Sequence, residues 1–323
     1  MMGTGTFAEP TLETLLTRPG LVVGVVTQPD RAGGHVRGST RQVGRGMKAI
    51  AEAAGVLVVQ PESINTPEGV ALLRDLKPDL LVVAAYGQIL SNDVLGVPPL
   101  GGINVHGSLL PKYRGAAPVA WAILRGETRT GVTIIRMTTG LDAGDMLAQE
   151  SIDIGPDETA GELEARLAPL GARLALEVID RMQQGPVAGV KQDQAQVTKA
   201  PKLKKEDGLI DWAQPAEQVV RQIRAMQPWP TAYTFRHCGN QPPARLLITK
   251  TMIFDRSISH PPKPGKLFTI PGHGLLLVEV GGREAVQILK LQPTGKREMH
   301  TAEYLNGRPV RPDADFLGPE VLS

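Results

Sequence analysis

Between residues 47 and 106, short uninterrupted apolar runs alternate with helical stretches, and this alternation restricts the fold more than anything else in the chain. A helix is predicted at 47–54, a strand at 56–60, a helix at 67–76 and a strand at 79–85, with an earlier strand at 21–27. Strands that are apolar throughout, rather than at every second residue, suit a parallel sheet covered on both faces. The expectation is a doubly wound α/β domain. A long amphipathic helix at 159–182 packs on it or closes it.

The next stretch places polar residues where a core would be apolar. In a strand opening at Gly101, Ile103 and Val105 face one side while Asn104 and His106 share the other, because strand side chains alternate. A loop, Ser108-Leu109-Leu110-Pro111, follows, then a helix near Pro118, then a Val/Thr/Ile-rich strand at 131–137 ending in a polar turn with Asp142 and Asp145. If the two strands are parallel, as a strand-helix-strand unit requires, both loops leave the same carboxyl edge and Asp142 is brought toward His106. Taken singly, Asn104 is more often a strand-end hydrogen bonder, His106 a satisfied structural histidine and Asp142 a loop cap. Together they reverse those odds, and Asp145 stays a cap.

Two further stretches carry charge or a motif. Residues 28–45 read as a long exposed loop bearing Arg31, Arg37, Arg41 and Arg45, open to an anionic ligand or simply solvated. Gly3-Thr4-Gly5-Thr6-Phe7-Ala8 fits a dinucleotide fingerprint with Asp30 beyond it, but the strand that must precede the first glycine is represented only by Met1 and Met2. Glycines in a tight strand-to-helix turn are the better reading.

Beyond residue 184 the character changes. Residues 185–207 are rich in Gln and Lys, with Lys199, Lys202, Lys204 and Lys205 close together, and read as a basic linker. A helix then begins near Pro215 with Val219, Val220, Ile223 and Met226 on one stripe, and short β-type segments at 245–249, 274–280 and 285–291 suggest a small barrel. Expected boundaries are 1–184 for the catalytic domain, 185–207 for the linker and 208–323 for the barrel domain. Residues 1–184 hold 16 Lys+Arg against 20 Asp+Glu and the remainder 19 against 13, so the second part is the basic one and favours an anionic partner. Cys238 is the only cysteine, which excludes an internal disulfide and a multi-cysteine zinc site, and the six histidines lack metal-ligand spacing. No run approaches a membrane span and no signal-peptide layout opens the chain, so a cytoplasmic protein is expected.

The runs INVHGSLLPKYRGAAP and GVTIIRMTTGLDAGDML resemble the folate-dependent formyltransferases. The resemblance extends through VVGVVTQPDR, KPDLLVVAAYGQIL, KAPKLKKEDGLIDW, QPWPTAYT and LQPTGKREMHTAEYLNGRPV, nearly the full length. It implies that Asn104, His106 and Asp142 form the catalytic set, with no metal, and that Ser108, Leu109, Leu110 and Pro111 contact the folate. The later segments resemble those members that act on RNA. They imply an OB-like barrel touching tRNA, the 31–45 loop entering the acceptor-stem region, and formyl transfer from 10-formyltetrahydrofolate to the α-amine of methionyl-initiator tRNA for translation initiation. On this reading the amine attacks the formyl carbon, Asn104 and His106 stabilise the anionic oxygen, and Asp142 orients His106 or passes protons through a water. A monomer is expected. The open alternatives are a formyltransferase for a small amine, such as a phosphoribosyl or sugar-nucleotide substrate, and a non-catalytic RNA-binding relative; a dinucleotide-binding oxidoreductase is a distant third. Two departures stand out. A strand ordinarily leads into the segment that Met2-Gly3-Thr4 resembles, so a central strand is expected to be largely missing, and Gly107 stands where alanine is usual.

Overall fold

The computed structural model describes residues 1–30, 44–239, 241–255, 258, 260–270, 273–311 and 314–321. They form two compact units: Met1–Ala122, Glu127–Pro156 and Gly161–Lys202 in one, Ile123–Gly126, Asp157–Ala160 and Leu203–Ser323 in the other.

All or most of each of these elements lies in the first unit: β1 (Met2–Gly3), α1 (Glu9–Leu16), β2 (Val25–Val26), α2 (Met47–Ala53), β3 (Val58–Val59), α3 (Pro67–Asp75), β4 (Leu81–Ala84), α4 (Asn92–Leu95), β5 (Gly102–His106), β6 (Arg114–Gly115), α5 (Pro118–Leu124), β7 (Arg129–Arg136), β8 (Met146–Asp153), α6 (Ala160–Gln184) and β9 (Lys199–Ala200). Its main sheet has the order β3-β2-β1-β4-β5-β7-β8. It is parallel from β3 to β5, as the apolar runs predict. The central strand expected to be largely missing is present as a two-residue strand: Met2 pairs with both Val26 and Val83, and Gly3 pairs with Ala84. At Gly3 a Cβ would lie 2.6 Å from the Ala8 methyl and 2.9 Å from the Ala84 carbonyl, so the glycine serves a tight strand-to-helix turn. Met2, Val26, Leu73, Leu81, Val83 and Tyr86 are among the buried side chains that pack beside it. Each such large side chain contributes roughly 1.5–3 kcal/mol on leaving water.

Local chemistry starts the helices, among them α2 and α3 where the sequence places them. Thr66 caps α3 by accepting from the Gly69 N–H at 3.2 Å, and Pro67 occupies its first turn. Ser91 caps α4 through the Val94 N–H at 3.3 Å. The Glu9 carboxylate in α1 accepts from the Arg45 and Gly46 N–H groups at 3.2 and 2.9 Å, at the start of α2. Of the loop arginines, Arg31, Arg37 and Arg41 lie outside the described residues, and Arg45 pairs with Glu13 at 2.8 Å.

The expected parallel pairing of the two strands around the site is corrected by the structure: β7 runs antiparallel to β5, with His106 opposite Thr133 and Ile103 opposite Arg136. A parallel return would have to carry the chain to the far edge of the sheet. Helix α5 has seven residues, about 10 Å of rise. Gly126, at φ +76°, then ends it through Gly126 N–H to Ile123 O and Glu127 N–H to Ala122 O bonds at 2.9 and 3.0 Å, and the chain re-enters the sheet at the edge it left. Strand β8 continues antiparallel to β7, so the sheet is mixed at this side. Helix α6 covers β5 and β7 closely: a Cβ on Gly171 would lie 2.5 Å from Val105 and 3.2 Å from Val132.

The second unit contains α7 (Ala216–Ala225), β10 (Tyr233–Cys238), β11 (Ala244–Phe254), β12 (Leu267–Phe268), β13 (Leu276–Val280), β14 (Glu284–Pro293), β15 (Met299–His300), α8 (Thr301–Gly307) and β16 (Asp315–Gly318). Its strands are ordered β12-β13-β14-β11-β10-β16, all antiparallel, with β15 on β14. An isolated bridge between Lys266 and Phe316 brings the two ends of that order together, giving the nearly closed barrel expected from the spaced short strands. Val219, Ile223 and Met226 of the predicted stripe are buried and Val220 half-buried.

Candidate active site

Strand alternation puts Asn104 and His106 on one face of β5, as the sequence predicts. The route by which Asp142 joins them differs from the expectation. Because β7 is antiparallel, the 137–145 loop leaves the sheet beside the first residues of β5, with the Met137 N–H on Gly102 O at 2.8 Å. The loop doubles back, closed by an Arg136 N–H to Asp145 O bond at 2.9 Å. It carries Asp142 to the two side chains. Asn104 Nδ2 donates to Asp142 Oδ1 at 3.4 Å, and His106 Nδ1 lies 3.6 Å from Asp142 Oδ2.

Backbone groups hold this triangle. The Gly115 N–H donates to Asp142 Oδ2 at 2.8 Å, its firmest contact. On the other side of the imidazole, His106 Nε2 lies 3.0 Å from the Tyr113 carbonyl. A carbonyl only accepts, so Nε2 carries a proton and Nδ1 is the nitrogen turned to the carboxylate. The side chains of His106 and Asp142 are 5% and 12% exposed, so little water screens the pair. Asp142 and Tyr113 both sit at positive φ, +47° and +64°. Chemically this is a recessed pair of hydrogen-bond donors beside a carboxylate that can accept a proton.

The 108–111 segment is rigidly built. Ser108 and Leu110 are buried; Leu109 and Pro111 are half-buried, and the Leu110–Pro111 peptide is cis. Ser108 Oγ donates to Lys112 O at 2.7 Å. Thr133 Oγ1 donates to Ser108 O at 2.7 Å and accepts from Leu110 N–H at 3.1 Å, while Gln149 Nε2 donates to Leu110 O at 2.9 Å. Of these four residues, Leu109 and Pro111 are the ones that keep some exposed surface.

Sequence reasoning missed Tyr113, Gly115 and Gln192, which act through backbone atoms or on them. Gly115 left one signal: a Cβ there would lie 2.4 Å from Ala200 O, across the parallel pairing of β6 with β9. Residues 185–202, read as linker, are thus bound to the site loop, with Thr198 also accepting from the Tyr113 and Arg114 N–H groups at 2.8 and 2.9 Å. Lys199, Lys202, Lys204 and Lys205 are all exposed. A cavity of about 460 Å³ lined by Thr6, Glu9, Gly44, Arg45 and Glu164 shares no residue with the site. Among the described residues, no cluster of His, Cys, Asp or Glu is placed to hold a metal, and no helix is long and apolar enough to cross a membrane.

By family, the chain is a formyl-transferring enzyme. Residues 1–179 match the formyl transferase family and 202–309 the formyl transferase C-terminal domain. Methionyl-tRNA formyltransferase of Geobacter metallireducens is 44% identical over 314 residues, 96% of each chain. That of Chloroflexus aggregans is 44% identical over 95% of this chain and 96% of its own. The chain belongs to the methionyl-tRNA formyltransferase family. Among solved structures, an N-formyltransferase of Helicobacter canadensis in complex with folinic acid and dTDP-3-aminofucose superposes with a TM-score of 0.63 at 17% identity, over 90% of this chain and 97% of that one. A sugar 3N-formyl transferase solved with dTDP and 5-N-formyl-THF gives 0.64 at 16%, over 92% and 97%. At these identities the likeness is one of fold.

Proposed function

We propose that this enzyme transfers the formyl group of 10-formyltetrahydrofolate to the free α-amine of methionyl-initiator tRNA, in the cytoplasm and as a monomer, supplying translation initiation. The observation that carries the reading is the convergence of Asn104, His106 and Asp142 within 3.4 to 3.6 Å. The names of the relatives support the acceptor, and the folate compounds bound by the two structural neighbours support the donor.

In this reading the amine adds to the formyl carbon, and charge develops on the formyl oxygen. Asn104 Nδ2–H faces Asp142 Oδ1 and His106 Nδ1 faces Asp142 Oδ2; with Nε2–H held on the Tyr113 carbonyl, the ring donates from Nδ1 as the imidazolium, and both donors lie beside the place the formyl oxygen takes. Each preorganised donor aimed at that oxygen is worth about 2.7–4 kcal/mol of barrier. Asp142 holds the imidazole and takes a proton from the attacking amine through water as the new N–C bond forms; the adduct then collapses with cleavage of the formyl carbon–folate nitrogen bond, and that proton passes to the departing nitrogen, releasing tetrahydrofolate and the formylated amine. The folate rests on the 108–111 segment, contacted by Leu109 and Pro111 side chains and by the backbone of Ser108 and Leu110. Residues 1–184 form the catalytic domain, 185–207 the basic connection and 208–323 the tRNA-binding domain. The exposed lysines at 199–205 and the surplus of 19 basic over 13 acidic residues beyond position 184 suit a polyanion.

The test offers two acceptors to the folded protein with 10-formyltetrahydrofolate: charged initiator tRNA and a dTDP-linked amino sugar. Formylation of the tRNA alone is expected. Formylation of the sugar alone replaces this reading with the small-amine one, and binding of tRNA without transfer to either acceptor replaces it with the non-catalytic one.

A further inference from the structure

The carbonyls of Asp142 and Gly144 converge on one side chain that the reaction does not use. Gln192 Nε2 donates to Asp142 O at 2.7 Å and to Gly144 O at 2.8 Å, while its Oε1 accepts from Nε and Nη2 of Arg114 at 3.0 and 2.8 Å. An amide has two donors and two acceptor lone pairs, so this one is saturated. It is also 7% exposed, so water offers its partners little substitute.

What Gln192 grips is a backbone turn in the left-handed region. Asp142 has φ +47°, in the left-handed region that side-chain-bearing residues other than Asn and Asp rarely enter. Such a conformation persists where its surroundings over-determine it. Here they form a ring: Gln192 holds the Asp142 backbone, Arg114 holds Gln192, and the next residue, Gly115, donates its N–H to the Asp142 carboxylate at 2.8 Å. The strand pair β6–β9 closes the ring, joining Arg114 and Gly115 to the stretch that carries Gln192. Backbone and carboxylate of one aspartate are therefore fixed from two sides by one unit. Rotation of Asp142 out of this conformation would carry its carboxylate away from His106 and Asn104.

We infer that Gln192 is a positioning residue for formyl transfer, holding Asp142 in the left-handed conformation that aims its carboxylate at His106 and Asn104. The inference rests on the reaction proposed above.

The test uses the full-length Gln192→Met and Gln192→Glu variants. Methionine keeps the length and removes all four hydrogen bonds. Glutamate keeps the volume and pairs its charge with Arg114, which favours folding, but turns a carboxylate oxygen toward two carbonyls. A displacement of about 1 Å at a reacting group costs up to ~100-fold, and kcat is expected to fall about 10- to 100-fold in both variants, with KM for folate and for tRNA within about 3-fold. In an Asp142→Asn background the same change should cost no more than about 2-fold, because the group being positioned is already compromised. Ring ¹⁵N shifts of His106, read without any substrate, should move in the variants. Unchanged kcat and unchanged ring shifts in a folded variant would overturn the inference, as would an equal loss in the Asp142→Asn background. Absence of transfer by the wild type sinks the reaction instead, and the His106 shifts then decide the positioning role alone.

Discussion

Asp142 in the first unit and Asp315 in the second are both secluded carboxylates facing cationic or polar donors, and they are satisfied in opposite ways. Asp315 Oδ2 accepts from Arg236 Nη2 at 2.6 Å and from the Arg311 N–H at 3.1 Å, with its side chain fully buried. Arg236 in turn donates to Tyr304 OH and to the Arg308 and Pro309 carbonyls at 2.9 to 3.2 Å. Burial pushes the Asp315 carboxyl up, but the Arg236 hydrogen bond and that of the Arg311 N–H outweigh it and hold the group below its ordinary value. Burial likewise opposes the charge on Arg236, and the bonds to Asp315 and Tyr304 raise it above its usual range. Asp142 has a single short bond, from a backbone N–H, and its side-chain donors stand at 3.4 and 3.6 Å. The first arrangement is a clasp that fixes strand β16 on β10. The second leaves its donors incompletely used, as the proposed stabilisation of a transient negative oxygen requires.

The comparison breaks if the clasp proves dispensable. Asp315→Ala leaves a buried guanidinium unpaired and should lower stability by about 3–5 kcal/mol in urea unfolding followed on the second unit; a loss under about 1 kcal/mol would contradict it. Because the folded-state value of Asp315 is depressed, its contribution is complete above the ordinary carboxylate value near ~3.9 and is lost as pH falls through the folded value. The wild type should therefore lose stability more steeply than the variant below about pH 4.

At the site the signature is reversed. Asn104→Ala and His106→Ala should each slow transfer roughly 10²- to 10³-fold while changing stability less than Asp315→Ala does. Thr133→Val sharpens the contrast from a third position. It strands the Leu110 N–H and the Ser108 carbonyl, costing about 1–3 kcal/mol of stability, and should raise KM for the folate donor before it lowers kcat. The smallest effect is expected at Gly107. A Cβ there meets Val119 at 3.3 Å and Phe7 at 3.4 Å, contacts that small side-chain shifts relieve, so Gly107→Ala should change stability by no more than ~1 kcal/mol in thermal melts, with transfer unaffected.

The residues that meet at the site could be read from the chain, but the path that joins them could not. Alternation alone placed Asn104 and His106 on one face, because that period is a property of any strand. Strand direction is not a local property. It followed here from the shortness of α5 and the turn at Gly126, and Asp142 arrives from the edge opposite to the one the strand-helix-strand rule suggests. Gln192 was hidden for a different reason. Its partners are two carbonyls, which any residue supplies, and its Gln- and Lys-rich surroundings have the composition of a linker. The helix stripe at Val219, Ile223 and Met226 was legible because burial follows the helical period directly.

The most direct measurement is the single-turnover rate of formyl transfer from 10-formyltetrahydrofolate to charged initiator tRNA, for the wild type, Asn104→Ala, His106→Ala and the double variant, each verified as folded. If both side chains stabilise one developing oxygen, each single change slows the step by about 10²-fold or more and the double variant loses less than the product of the two. Transfer at the wild-type rate by folded His106→Ala would contradict the account.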